Sequence, residues 1–199
     1  MAQRLLLARH GRVVEAHARG FLGRTDAPLG ADGRAQAGAL AARVRALAPD
    51  LCVASPLRRA VETAALAAPG LEPQIDPDLR EIDFGEWEGR TFPEIRASHP
   101  AKVDRWAAWE ADFAFPGGES LADFLTRVRR AAERLAAEPH GTVLAVTHGG
   151  VIRALVCRLL GLPPRSYVAF DVRLASLTTI KLFDGKGVLS GLENPAEEG

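Results

Sequence analysis

Short apolar runs ending in polar or glycine-bearing segments recur at Arg4 to Ala8, Leu51 to Ser55 and Thr142 to Thr147. Runs of this length and continuity mark strands buried on both faces, as in parallel sheets. Between them the apolar period changes to that of helices. Gly30 to Ala48 carries apolar residues at helical spacing, Arg58 to Ala68 is rich in good helix formers, and Ser120 to Ala137 opens on a Ser-x-x-Asp start. Gly150 to Leu160 follows the third strand directly as another helix, closed by Gly161, Pro163 and Pro164. Strands alternating with helices predict an α/β fold, a three-layer α/β/α sandwich around a mainly parallel sheet. Near the end, "YVAFDV" and "SLTTIKLF" predict additional strands that form an antiparallel edge.

The stretch Phe84 to Phe115 breaks the alternation. It holds all three tryptophans, Trp87, Trp106 and Trp109, with Phe84, Phe92, Phe113 and Phe115, and runs into Pro116-Gly117-Gly118. It predicts a helical, aromatic insertion at about 84–118, packed over the sheet edge inside a single domain spanning 1–199. Trp106, Trp109 and Phe113 stand at i, i+3 and i+7, the spacing of a core-facing helical stripe. The final "NPAEEG" predicts a frayed terminus.

Composition narrows the function classes. Lys+Arg and Asp+Glu both number 25, and no block of like charge predicts a nucleic-acid arm or a membrane-binding tail. Any positive potential that matters is therefore local. The N-terminal apolar run is shorter than a signal-peptide core and no later stretch approaches a membrane span, so the chain reads as soluble and cytoplasmic. Cys52 and Cys157 lie in apolar surroundings without metal-ligand spacing, which predicts two reduced, buried thiols.

In open α/β sheets, ligands bind beyond the carboxyl ends of the strands. There the first strand delivers Arg9-His10-Gly11, the second Ser55-Pro56-Leu57-Arg58-Arg59 and the third Thr147-His148-Gly149-Gly150. Two histidines and at least two arginines converge on one sheet edge, with glycines that let a ligand approach the backbone. That composition suits a phosphoryl group. Guanidinium forks match its oxygens and helix N-termini add oriented N–H groups, while a neutral imidazole can attack phosphorus to give a phosphohistidine. A second, protonated imidazole would stabilise charge on the equatorial oxygens. A proton donor for the leaving oxygen is offered by "LREIDFGEWEG", with Glu81, Asp83, Glu86 and Glu88, and spacing alone does not choose among them.

These residues resemble the histidine phosphatase superfamily, which includes the cofactor-dependent phosphoglycerate mutases. The matching blocks, in family order, are "ARHGR", "GRTDAPLGADGRAQA", "SPLRRAVETA", "LREIDFGEWEG", "PGGES" and "VTHGG". The resemblance implies that His10 is the phosphorylated nucleophile, that Arg9 and Arg59 bind the phosphoryl group, that Glu81 is the acid and that His148 is the second catalytic histidine. It places Gly11 and Gly149 at the substrate and leaves Asp83, Glu86 and Glu88 as solvated carboxylates, with Glu119 in a supporting role. The family's Arg-His-Gly-x-Thr-x-x-Asn pattern is broken by Val13 and Ala16, so an expected amide contact to phosphate is missing; His17, Arg19 and Arg24 are nearby substitutes.

Three rival readings compete with this one. Cys52 to Arg58 satisfies the Cys-x5-Arg pattern of cysteine-dependent phosphatases, but Pro56 removes one N–H of an anion cradle and Cys52 falls inside the strand. A binding-only member conflicts with the presence of both histidines, both arginines and Glu81. A phosphoglycerate mutase conflicts with the compact chain, since mutases carry longer insertions. A hydrolase of a small phosphorylated metabolite is expected, closest to the α-ribazole-5'-phosphate phosphatase and broad-specificity branch, with sugar-phosphate phosphatases as the alternative. No metal or other cofactor is expected, because the arginines and His148 supply the positive charge. Strands in Val168 to Leu182 suggest a homodimer formed by pairing across subunits.

Overall fold

In β1 (Arg4–Arg9) the side chains alternate between two cores. Leu5 and Leu7 join one, with Leu51, Val53, Val143 and Ala145, whereas Leu6 and Ala8 join the other, with Cys52, Ala54, Leu144 and Val146. Strands with no wet face explain the uninterrupted apolar runs, and each fully buried leucine contributes about 2 kcal/mol of transfer free energy. The chain is described by a computed structural model over residues 1–183 and 186–195.

β1, β2 (Leu51–Ala54), β3 (Gln74–Ile75), β4 (Thr142–Thr147), β5 (Leu177–Phe183) and β6 (Lys186–Glu193) form one six-stranded sheet in the order β3-β2-β4-β1-β5-β6. The first four strands run parallel, and β5 and β6 form the antiparallel edge. On one side lie α1 (Ala31–Leu47) and α2 (Arg58–Ala67), whose buried faces include Leu40, Val44, Ala60 and Ala64. The other side carries α5 (Leu121–Ala137) and α6 (Gly149–Leu160), with Phe124, Val128, Val151 and Leu155 in the core. Ser120 caps α5 by accepting the Asp123 N–H.

Before α5, the aromatic stretch forms two short helices, α3 (Phe92–Ser98) and α4 (Pro100–Ala107). Trp87 is fully buried among Phe21, Trp106, Phe113 and Phe115, with ring centroids 5.3–6.3 Å apart. The expected stripe is interrupted, because α4 ends at Ala107 and Trp109 adopts a positive φ of 56°. Trp109 stacks on Tyr167 instead.

Two expectations for the tail are corrected. "YVAFDV" is not a strand: Pro164–Ala169 is a 3-10 helix and Val168 is 80% exposed. The β1 edge it would need is taken by β5. The second tail strand is β6, whose residues alternate between exposed and half-buried rather than showing a continuous apolar run. Strand pairing between subunits through Val168 to Leu182 is also excluded for β5, since β1 and β6 occupy both its edges. Of the expected frayed terminus, residues 196–199 lie outside the described residues. Asn194 is anchored, its amide donating to the Asp171 carbonyl while its oxygen accepts the Arg173 N–H.

Candidate active site

Register decides what meets at the sheet's carboxyl edge. Arg9 of β1 lies opposite Thr147 of β4, and Ala54 of β2 lies opposite Val146. The next residues are therefore neighbours: the His10 and His148 rings sit 5.1 Å apart, and His148 Nε2 lies 2.8 Å from Ser55 Oγ. The parallel pairing of Arg4 to Arg9 with Thr142 to Thr147 fixes this juxtaposition.

The His10 ring is oriented by its own backbone. Nδ1 stands 2.8 Å from the Gly11 carbonyl, which can only accept, so Nδ1 carries the proton and Nε2 keeps its lone pair. Burial, reinforced by the charges of Arg59 and Arg9, holds the imidazole well below the ordinary histidine range. His148 is held low in the same way, by burial first and then by Arg59, His10 and Arg9. Without an anion both rings are neutral, so the protonated state expected of His148 requires a negative ligand.

Arg9 is fixed by an Nη1 bond of 2.7 Å to the Val172 carbonyl. A side chain on Gly149 would sit 3.1–3.2 Å from its guanidinium, which accounts for the glycine there. Arg59 is fully buried, donating to the carbonyls of Gly23 and Thr25 at 2.7 Å. Burial draws it down to about 10, against the opposing pull of Glu81 and Glu88, so it stays charged at neutral pH. Arg9 Nε, Arg59 Nε and His148 Nδ1 are buried without a protein partner. Two guanidinium nitrogens beside the imidazole pair and one nitrogen of the pair itself, all left so, are costly in a folded chain and fit a site for an oxyanion.

Among the described residues, Glu81 is the one acid that lines the cleft. Its Oε2 accepts the Gly150 N–H at the start of α6 and its Oε1 accepts the Ile82 N–H, both at 3.0 Å. Asp83 and Glu88 are not the solvated carboxylates expected. Asp83 accepts the Gly85 N–H, and Glu88 accepts from Arg24 N–H and the Thr25 hydroxyl, which ties down the loop that Arg59 grips. Glu86 is the exposed one, 3.6 Å from His99.

The cleft encloses about 710 Å³. Arg9, His10, Glu81 and Gly149 contribute to its surface; Arg59, His148 and Gly11 do not. A Cβ on Gly11 would collide with the Gly33 backbone of α1, and its N–H donates to Thr63 Oγ1 at 3.2 Å. The close approach that Gly11 permits is thus to α1 and not to a ligand. Val13 is buried in a bridge to Leu29, while Ala16 is exposed in a 3-10 turn, Glu15–His17, whose His17 reaches the cleft. Arg24 faces Glu119 at 3.8 Å. Arg12, His17, Thr91 and Arg153 add polar wall, and an aromatic part is formed by Phe21, Phe84, Phe92, Trp106 and Tyr167. Burial pushes the Cys52 thiol up to about 12, and Arg58 is exposed and turned to Glu62, so no cysteine-based cradle forms.

The sequence places Ser55 at the sheet edge without a role, and gives no place in the site to Arg127 or Arg153. Arg153 lines the cleft, bonded to the Phe170 carbonyl and stacked over Tyr167. Arg127 pairs with Glu119, and its signal was visible: an arginine on the apolar stripe of α5 between Phe124 and Val128. Among the described residues there is no cluster of three metal-ligating side chains, and no helix is long and apolar enough to cross a membrane.

The profile of the histidine phosphatase superfamily (branch 1) matches residues 5–195. A bifunctional protein of Mycobacterium tuberculosis is 38% identical over 186 residues, covering 90% of this chain and 50% of that protein, so the chain spans about half the length of that relative. Among solved structures, the α-ribazole phosphatase of Shigella flexneri superposes with a TM-score of 0.85 at 31% identity, over 96% of each chain. A mycobacterial glucosyl-3-phosphoglycerate phosphatase in complex with VO3 gives 0.84 at 35% identity, over 98% of this chain and 100% of that one.

Proposed function

The chain belongs to the histidine phosphatase superfamily, and from that premise we propose that it hydrolyses phosphomonoesters through a phosphohistidine at His10. The supporting observation is the tautomer: Nδ1 donates to the Gly11 carbonyl, and the depressed basicity keeps Nε2 unprotonated at neutral pH. Nε2 attacks phosphorus as the ester P–O bond breaks, and the departing oxygen takes a proton from the Glu81 carboxyl. Water then attacks the phosphohistidine, giving its proton to Glu81, while the P–N electron pair returns to the imidazole. Arg9 and Arg59 offset the phosphoryl charge, and His148, protonated once the anion is bound, stabilises the transferring oxygens.

Brief incubation with a labelled phosphomonoester, alkaline quench and peptide mapping tests this scheme. Label is expected on His10 and absent from His10→Ala. Turnover by His10→Ala, or label on Cys52, overturns it.

For the substrate we favour a small metabolite whose leaving group carries an aromatic or apolar body, because the cleft is far larger than a phosphoryl group and is walled by Phe21, Phe84, Phe92, Trp106 and Tyr167. α-Ribazole-5'-phosphate has that character; phosphoglycerates and sugar phosphates do not. A kcat/KM panel of α-ribazole phosphate, 3-phosphoglycerate, sugar phosphates and an aryl phosphate decides. Indifference across it, or a preference for the sugar or triose esters, refutes the assignment.

A further inference from the structure

Glu81 lies in an irregular segment that follows a 3-10 turn, Pro77–Leu79, and belongs to no strand or helix. Its backbone is nevertheless held at every carbonyl. Arg127 Nη1 donates to the carbonyls of Asp78 at 2.8 Å and Arg80 at 2.6 Å, and Nη2 to that of Glu81 at 3.1 Å. The intervening Leu79 carbonyl accepts the Thr147 hydroxyl at 2.6 Å, one residue before His148. The remaining donations of Arg127, from Nε and Nη2, go to the two oxygens of Glu119 at 2.6 and 2.8 Å. All five guanidinium N–H groups are thereby used.

Both side chains of the Arg127–Glu119 pair are about nine-tenths buried. Such a pair gains little net stability, because desolvation offsets most of its attraction. Its geometric product is specific: a planar fork spans three carbonyls of the turn that carries the acid, which a lysine's point charge cannot do. We infer that Arg127, neutralised by Glu119, is a positioning residue that holds Glu81 at the height of the leaving oxygen. This inference rests on Glu81 being the proton donor. Proton transfer requires hydrogen-bond reach, and a misplacement of about 1 Å costs on the order of 100-fold.

The test is the dependence of kcat/KM on leaving-group acidity, measured from dinitrophenyl phosphate, whose leaving group departs without a proton, to an alkyl phosphate, which needs one. In Arg127→Met the alkyl ester is expected to lose about 100-fold, mainly in kcat, and the dinitrophenyl ester only about threefold, with Arg127→Lys in between. In a Glu81→Gln background the Arg127 substitution should cost the alkyl ester less than about twofold further, because the group it positions is gone. Equal losses on both esters, or full additivity with Glu81→Gln, overturn the positioning role while leaving Glu81 as the acid. If Glu81→Gln itself slows both esters equally, the acid assignment fails instead. Should Arg127→Met not fold, Arg127→Lys and Glu119→Gln carry the same comparison.

Discussion

Acidification should destabilise this fold through the two histidines of its candidate active site. His10 and His148 are buried and neutral, with both rings held well below the ordinary histidine range. In the unfolded chain each titrates near about 6.5, so below that pH the unfolded state takes up protons that the folded state refuses. Stability is therefore fully present above the unfolded pKa and falls as pH drops below it. At about pH 5.5 each imidazole that stays neutral costs about 1–2 kcal/mol, and the pair lowers stability by as much as about 3 kcal/mol relative to about pH 7.5. For a chain of this size that is a Tm decrease of roughly 5–10 °C. Urea unfolding at the two pH values, compared with a His10→Gln/His148→Gln variant, isolates the contribution. Wild type should lose more than the variant, by as much as about 3 kcal/mol. Equal losses would mean that the buried rings charge freely in the folded state, and the electrostatic picture of the site would be wrong. Saturating inorganic phosphate should shrink the difference, since an anion offsets the arginine charges that depress both rings.

Two substitutions probe other parts of the site. A methyl group in Gly150→Ala would press on Glu81 Oε1 and lie 3.2 Å from its carboxyl carbon, so the acid must retreat by about 1 Å to reach ordinary contact. Alkyl phosphate turnover is expected to fall about 100-fold while the protein stays folded, because alanine favours the first turn of α6 over glycine; circular dichroism with steady-state kinetics checks both, and unchanged turnover contradicts the placement of Glu81. Cys52→Ala should keep kcat/KM within about twofold and cost on the order of 1 kcal/mol in urea unfolding, since the thiol is core. Loss of turnover in that variant would revive the cysteine-based reading.

Much of the fold was legible because burial writes itself into local period. Strands enclosed on both faces, such as Leu5 to Ala8 and Val143 to Val146, are continuously apolar, and helices with one buried face repeat at 3.6. The tail was misread for the complementary reason: "YVAFDV" has strand composition, but pairing is settled by which edge is already taken, and β5 fills the one beside β1.

The same division runs through the site. Arg9, His10 and His148 stand out as candidates because strand ends deliver ligand-binding residues, whereas Glu81 is singled out among its neighbours only by the family's motif block. What their neighbours do could not be read from the chain. The parallel register that sets His10 beside His148, the turning of Arg59 onto Gly23 and Thr25, and the use of Gly11 to admit α1 all arise between segments far apart in sequence. Arg127 reaches across 46–49 residues to the turn that holds Glu81. Sequence alone determined which chemistry the sheet edge presents, since it rests on residue type and local period. Only the tertiary structure decided how each group is aimed and charged, because orientation and pKa depend on the burial and partners that packing creates.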